Sequence, residues 1–287
     1  MVDKLKLRNI TIIGLGLIGG SLAAACRRAF PRARIVGISR SRKALAKAKK
    51  RKWIHEGTSN LGRGLRSAEF VVLCTPVDTL KEFLKRIDRL APAGVVVTDT
   101  GSVKGFLVRW ADRQRWRHLH FVGAHPMAGS HEQGIDPATP HLFDHALTFV
   151  TPGRRSFPKA FRQVRDFWRN ISHRVAVVSP EKHDRITSEV SHLPHLVAAL
   201  LVASASSKSL CFAASGFLDT TRVAQGDPRL WVPILFENRM ELKRTLQCFE
   251  MKLDRVKGIL TRGNLLKLRR SLLDSQKRRV RLDPSST

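Results

Sequence analysis

Apolar positions in the first 180 residues alternate between two periods. Asn9 to Gly14 is a β-branched run closing on glycine. Leu17 to Ala29 repeats at helical spacing, and Arg34 to Ser39 is again a short strand-like run. The pattern continues with a helix at Arg42 to Arg51, a strand at Phe70 to Thr75, a helix at Asp78 to Leu90 and a strand at Val95 to Thr100. Strands separated by helices imply a parallel sheet covered on both faces, an α/β fold. Further strands are expected at His120 to Ala124, Ala146 to Thr151 and Arg174 to Ser179, with a helix at Pro158 to Asn170. After Pro180 the strand signals stop. Apolar residues then recur at helical spacing through Leu196 to Ala203, Trp231 to Leu246, Phe249 to Leu260 and Leu265 to Leu273. Two domains are therefore expected: an α/β domain over 1–179 and an all-α domain over 180–287, with only Asp283 to Thr287 reading as a disordered tail.

Composition narrows the class. With 287 residues, 43% hydrophobic and 26% charged, the chain is a globular protein rather than a disordered or fibrous one. No apolar run approaches the ~20 residues of a bilayer span, and Met1-Val2-Asp3-Lys4 leads into a strand rather than a signal sequence. A cytoplasmic protein without a membrane partner is expected. The four cysteines are widely spaced, which suggests neither a disulfide framework nor a zinc ribbon. The formal net charge of +29 is extreme. It suits a nucleic-acid binder or a field that gathers small anions. Twelve basic and no acidic residues lie between Arg27 and Lys52, but with the single aromatic Phe30 among them they lack the interleaving that a stacking platform requires. A solvated basic surface is the simpler account, and no specific nucleic-acid partner is expected.

Gly14-Leu15-Gly16-Leu17-Ile18-Gly19 falls between a strand and a helix, the context a dinucleotide fingerprint needs, so the α/β domain is expected to be of the dinucleotide-binding (Rossmann) type. Gly14 allows the tight turn, Gly16 lets the backbone approach a pyrophosphate and Gly19 permits close helix packing. The first helical turn at Leu17 and Ile18 offers free N–H groups to that anion. An NAD site would place a carboxylate at the end of the second strand. Here the strand ends Ser39-Arg40-Ser41-Arg42-Lys43. Ser39 and Arg40 suit a ribose 2′-phosphate, so NADP is the preferred cofactor. The other reading is Arg40 lying over the adenine of NAD.

Three more segments are polar where a core would be apolar: Asp99-Thr100-Gly101-Ser102-Val103-Lys104, Gly123-Ala124-His125-Pro126-Met127-Ala128-Gly129-Ser130 and Ser191-His192-Leu193-Pro194-His195. With Thr75-Pro76-Val77, His183-Asp184-Arg185 and Asp219-Thr220-Thr221-Arg222, followed by Trp231 and Asn238, these motifs resemble the prephenate/arogenate dehydrogenase family. The resemblance covers nearly the whole chain. His-Pro-Met-Ala-Gly followed by Ser-His-Leu-Pro-His is its specific part.

The resemblance implies an oxidative decarboxylation in tyrosine biosynthesis, with hydride passing from a cyclohexadienol ring to NADP or NAD. It makes His125 the group that draws off the ring hydroxyl proton, with Ser102 contacting that hydroxyl or the nicotinamide. Ser191, His192 and His195 then line the substrate pocket, Arg222 clamps the ring carboxylate, and Thr75 and Pro76 border the cofactor. It also implies a homodimer through the C-terminal helices and a small anionic substrate. Each residue has a plainer alternative. His125 can be a hydrogen-bonded structural histidine, although its expected place after the C-terminal end of a strand, where α/β sheets bind ligands, favours function; Ser102 can cap the helix beginning at Val103; His192 can pack in a core; Arg222 can be one more surface arginine. His183, Thr187, Ser191 and His195 follow at i+4 steps and should share a helix stripe. His192-x-x-His195 lacks an acidic third ligand at a suitable spacing, so no metal is expected. Ser215 and Leu218 depart from the family pattern beside the expected side-chain pocket, and Glu132 keeps a carboxylate able to gate entry. Two other functions compete: a different two-domain NADP-dependent dehydrogenase, and a redox-inactive NADP-sensing nucleic-acid binder.

Overall fold

The computed structural model describes residues 5–130 and 132–282. Met1 to Lys4, where no signal sequence was expected, His131 beside Glu132, and the tail Asp283 to Thr287 lie outside the described residues. Strands β1 (Asn9–Ile13), β2 (Arg34–Ile38), β3 (Glu56–Thr58), β4 (Phe70–Leu73), β5 (Val95–Asp99) and β6 (Leu119–Phe121) form one parallel sheet in the order β3-β2-β1-β4-β5-β6. Helices α1 (Leu17–Ala29), α2 (Arg42–Lys50), α3 (Leu61–Leu65), α4 (Leu80–Leu90) and α5 (Gly105–Asp112) connect them. The short strand β3 is absent from the sequence reading, since Glu56-Gly57-Thr58 carries no apolar alternation.

Side chains along each strand point alternately to two cores. On β4, Phe70 and Val72 join Leu22, Cys26, Phe167 and Trp168 on one face, while Val71 and Leu73 join Leu65, Leu84 and Leu107 on the other. This period of two, apolar on both sides, is what lets helices cover both faces. A third cluster of Val77, Val103 and Ile234 joins the loops after β4 and β5 to a later helix.

A second sheet follows: β7 (Gly123–Pro126), β8 (Leu147–Thr151) and β9 (Arg174–Val177), with β7 antiparallel to β8 and β9 parallel to it. The single strand expected at His120 to Ala124 is therefore two strands in different sheets. Val122 N still bonds Val97 O at 3.0 Å, but Ala124 N turns to the Asp99 carboxylate at 3.1 Å and β7 leaves the parallel sheet. His125 consequently lies within a strand, opposite Phe149, not after a strand's end. Helix α6 (Pro158–Arg169) lies between β8 and β9 in sequence.

Beyond β9 come α7 (Pro180–Thr187), a π-turn at Ser188–His192 and α8 (Leu193–Ser204), then the short α9 (Ser207–Leu210), α10 (Ser215–Thr221), a 3₁₀ turn at Arg222–Gln225 and α11 (Pro228–Glu237). The run Pro180–Ser204 is by length and composition long and apolar enough to cross a bilayer, contrary to the sequence expectation. It carries the buried, hydrogen-bonded polar residues His183, Asp184 and His192, which gives it a different use. The i+4 stripe through His183, Thr187, Ser191 and His195 is broken at the π-turn. Pro194 has no N–H for the carbonyl of Val190, and the added residue in that turn shifts the buried face from Ser191 to Ser188 and His192.

By packing, the chain divides into two compact units, Met1–Arg239 and Met240–Thr287. Near residue 180 the kind of secondary structure changes, while packing continues: α7 lies against α5 and β8. The second unit consists of α12, which begins at Arg239 and runs to Thr261, and α13 (Leu265–Val280). They are joined at Gly263, whose φ of 60° is the left-handed conformation that ends a helix, and Asn264 caps α13 through Lys267 N at 3.0 Å. The apolar series expected at Trp231 to Leu246 is thus two helices, separated at Asn238.

Candidate active site

The dinucleotide end is made largely of backbone. Gly14 has φ 95°, and a Cβ there would lie 2.5 Å from the carbonyl oxygen of Cys74. A Cβ on Gly19 would lie 1.7 Å from the carbonyl oxygen of Gly14. Only glycine fits either place, so the turn between β1 and α1 draws in tightly. A Cβ on Gly16, in contrast, would meet nothing within 4 Å. Gly16 is the N-cap of α1 and offers no side chain to its first-turn amides, which belong to Leu17, Ile18 and Gly19. This open N-terminus faces a groove of about 810 Å³ at the point where strand order reverses between β1 and β4. Gly14, Gly16, Ser39, Arg40, Thr75 and Pro76 all line it; Leu17 and Ile18 stand on the helix beneath. The arrangement fits a pyrophosphate on α1 and a ribose near Ser39.

Ser39 Oγ accepts the amide of Ser41 at 3.2 Å, leaving its hydroxyl hydrogen to donate. Asp136 also reaches the groove, held by Lys43 at 3.2 Å and by Lys47. Those two ammonium groups keep its carboxyl below the usual range.

The second half of the site is built from side chains. Lys104 and Asp99 form an ion pair with no exposed surface. Lys104 Nζ also donates to the carbonyl of Ala124 at 2.9 Å, and Asp99 accepts the amides of Ala124 at 3.1 Å and Gly101 at 2.9 Å. Both backbone groups of residue 124 are therefore gripped immediately before His125, tying β5 to β7. Burial pulls the Lys104 ammonium down from its ordinary value, opposed by the charge and hydrogen bond of Asp99. Breaking such a pair costs about 3–5 kcal/mol.

His125 Nδ1 lies 2.9 Å from His183 Nε2, and His183 Nδ1 lies 2.8 Å from Asp184 Oδ1. Asp184 further accepts the amides of Lys104 and Gly105, each at 2.8 Å, and so caps α5 from another part of the chain. Burial raises the Asp184 carboxyl, and those two amides pull it back. Burial drives His125 and His183 well below the ordinary imidazole value, with Lys104 and His192 adding repulsion. Both rings are neutral at pH 7. The sequence assigns no role to His183, beyond a motif and a helix stripe, or to Asp184, beyond the motif, yet two adjacent polar residues in an otherwise helical segment were the available signal.

The remaining expected residues are placed as follows. Ser102 is partly exposed in the loop from β5 to α5. It does not cap the helix: the N-cap is Lys104, and Asp184 supplies the capping oxygens. His192 and His195 are buried, whereas Ser191 is only partly so. Burial lowers His192 to about 4. His195 stacks on Trp231 with ring centres 3.7 Å apart. Arg222 is exposed at the start of the 3₁₀ turn that packs against α8.

Comparison with known proteins agrees with this layout. The prephenate dehydrogenase nucleotide-binding domain model matches residues 22–177 and the prephenate dehydrogenase dimerization domain model matches residues 179–273, with the glycine turn preceding the first. The chain is 35% identical to the prephenate dehydrogenase of Bacillus subtilis (strain 168) over 87% of its own length and 69% of that protein. It is 30% identical to the cyclohexadienyl dehydrogenase of Zymomonas mobilis, over 96% of each. Among solved structures, prephenate dehydrogenase from A. aeolicus in complex with hydroxyphenyl propionate and NAD+ superposes with a TM-score of 0.89 and 31% identity, covering 98% of this chain and all of that one. With a nicotinamide-dinucleotide groove, a buried histidine cluster and both domain models matched in order, the chain belongs to the prephenate dehydrogenase family of NAD(P)-dependent oxidoreductases.

Proposed function

We propose that this protein oxidatively decarboxylates prephenate or arogenate, with His125 as the base. The observation that carries the reading is the chain Asp184–His183–His125. A carboxylate only accepts, so His183 bears its proton on Nδ1 and presents a lone pair at Nε2. His125 must then donate from Nδ1, which leaves its Nε2 as the lone pair. A neutral imidazole with a fixed lone pair is suited to take the proton of the ring hydroxyl as the carbon beneath it gives up hydride. The dinucleotide, when bound, supplies the hydride acceptor. Loss of the ring carboxylate as carbon dioxide restores aromaticity, and Arg222 is the residue we assign to orient that carboxylate, with Ser102 beside the hydroxyl.

NADP is the cofactor we favour, because Ser39 and Arg40 face the groove where an NAD site would place a carboxylate, and the one nearby acid, Asp136, is engaged by two lysines. Assembly as a homodimer is supported by large exposed apolar residues concentrated late in the chain, among them Leu200, Phe212, Val232, Phe236, Leu265 and Leu266. The deciding experiment is a spectrophotometric assay crossing prephenate and arogenate with NADP and NAD, alongside sedimentation analysis. Absence of turnover in all four combinations would remove the proposal. A kcat/KM favouring NAD would remove the cofactor preference alone.

A further inference from the structure

Asn238 closes α11 and is 3% exposed, yet the chemistry above makes no use of it. Its Nδ2 donates to the main-chain carbonyl of Asp184 at 2.8 Å and lies 2.9 Å from Nδ1 of His192. A carbonyl oxygen can only accept, so the contact with Asp184 decides which end of the amide is nitrogen. The second amide hydrogen then faces His192. Nδ1 of His192 is therefore the lone pair, and the neutral ring carries its proton on Nε2. That N–H is buried and has no partner among the described residues.

The ring of His195 likewise has its Nδ1 buried without a partner among the described residues. Both rings rest on Trp231, His195 stacked and His192 edge-on at 6.3 Å. Through Asn238 the ring of His192 is tied to the main chain of Asp184, whose carboxylate holds His183 and, through it, His125. Buried polar atoms are rarely left unmatched, and two orphaned ring nitrogens against one tryptophan, linked through Asn238 and Asp184 to the base, point to a bound polar group.

We propose that Asn238 is a positioning residue for substrate recognition: it locks His192 with the proton on Nε2, giving the pocket near His125 a fixed donor for an oxygen of the substrate. This rests on the reading of the site as a hydroxycyclohexadiene carboxylate pocket. A hydroxyl side chain in place of His192 could turn to suit either an oxygen or an ammonium. A ring held by Asn238 cannot, so this position accepts an oxygen and rejects an ammonium.

The test reads the proton directly. Two-bond ¹H–¹⁵N spectra of the ¹⁵N-labelled full chain, with His192 assigned by its loss in His192→Asn, should show His192 as the Nε2–H form. Hydroxyphenyl propionate added with dinucleotide should shift that Nε2 resonance. Asn238→Asp puts a carboxylate against Nδ1, moves the proton there, and should weaken binding of the analogue at least tenfold while kcat changes less than KM. A native His192 protonated on Nδ1 overturns the proposal. So does an Nε2 signal indifferent to the analogue, which would mean that a buried water alone satisfies it, or an Asn238→Asp chain that binds as before. If the variant does not fold, the native spectra with and without analogue still decide. The spectra and the analogue titration need no turnover, so failure of the proposed reaction would be seen separately in the assay.

Discussion

The groove at the β1–α1 turn and the histidine cluster around β7 solve recognition in opposite ways. The groove works through main chain: two glycines that no other residue can replace, one that leaves its surface bare, and a helix N-terminus. Its parts lie within a few consecutive residues. The cluster works through side chains held by partners 58, 79 and 80 residues away in sequence. Backbone recognition tolerates almost any sequence around it provided the chain can draw close. Side-chain recognition depends on a network in which each acceptor dictates the next donor.

Four substitutions or conditions probe that contrast. Gly19→Val should be the most damaging, since its Cβ would meet the Gly14 oxygen at 1.7 Å. We expect a loss beyond about 4 kcal/mol, the extreme for one substitution, with dinucleotide binding abolished. Native melting and normal titration of the variant would show that the turn is not backbone-limited.

His125→Asn should leave the groove intact. Dinucleotide affinity is expected to be unchanged while kcat falls by about 10²- to 10⁴-fold. A kcat within a few-fold of normal would return His125 to a purely structural role.

The pH dependence of folding distinguishes the two regions next, because only the cluster buries neutral imidazoles. Above 6.5 His192 is neutral whether folded or unfolded. Between 6.5 and about 4 only the unfolded chain takes up the proton, so stability falls as pH drops through that window. The loss from this residue is roughly 3 kcal/mol. Denaturant titrations at several pH values should show a shallower acid loss for His192→Gln than for the native chain; identical slopes would contradict the burial argument.

The smallest effect is expected at the groove's rim. Arg40→Asp should lower the NADP/NAD ratio of kcat/KM by about tenfold, the scale of one charge-assisted contact at an exposed site. A ratio unmoved by the variant would mean that Arg40 does not read the 2′-phosphate.

The groove was legible in the sequence because its signal is local: Gly14, Gly16 and Gly19 at fixed spacing after a β-branched run. The alternation of strands and helices was legible for the same reason. What could not be read was set by distant partners. His120 to Ala124 looked like one strand, and only the Asp99 carboxylate, 25 residues earlier, turns Ala124 into the second sheet. The stripe from His183 to His195 was drawn with a period that the π-turn before Pro194 interrupts. Asp184 and Asn238 carry no local signature of their tasks, since one caps a helix that begins at Gly105 and the other orients a ring 46 residues away.

The cap that Asp184 places on α5 bears on how this chain can be taken apart. Two domain models meet between residues 177 and 179, which invites cutting or exchanging the modules there. A fragment ending at 179 would lose the carboxylate that satisfies the amides of Lys104 and Gly105, and with it the partner of His183. The exposed α5 terminus would sit beside a buried lysine, in a half-protein still able to form its glycine turn but lacking the first turn of a helix in its own core. A break at that seam would conserve the cofactor groove and part His125 from the pair that orients it, so productive chimeras should carry their crossover beyond Arg239.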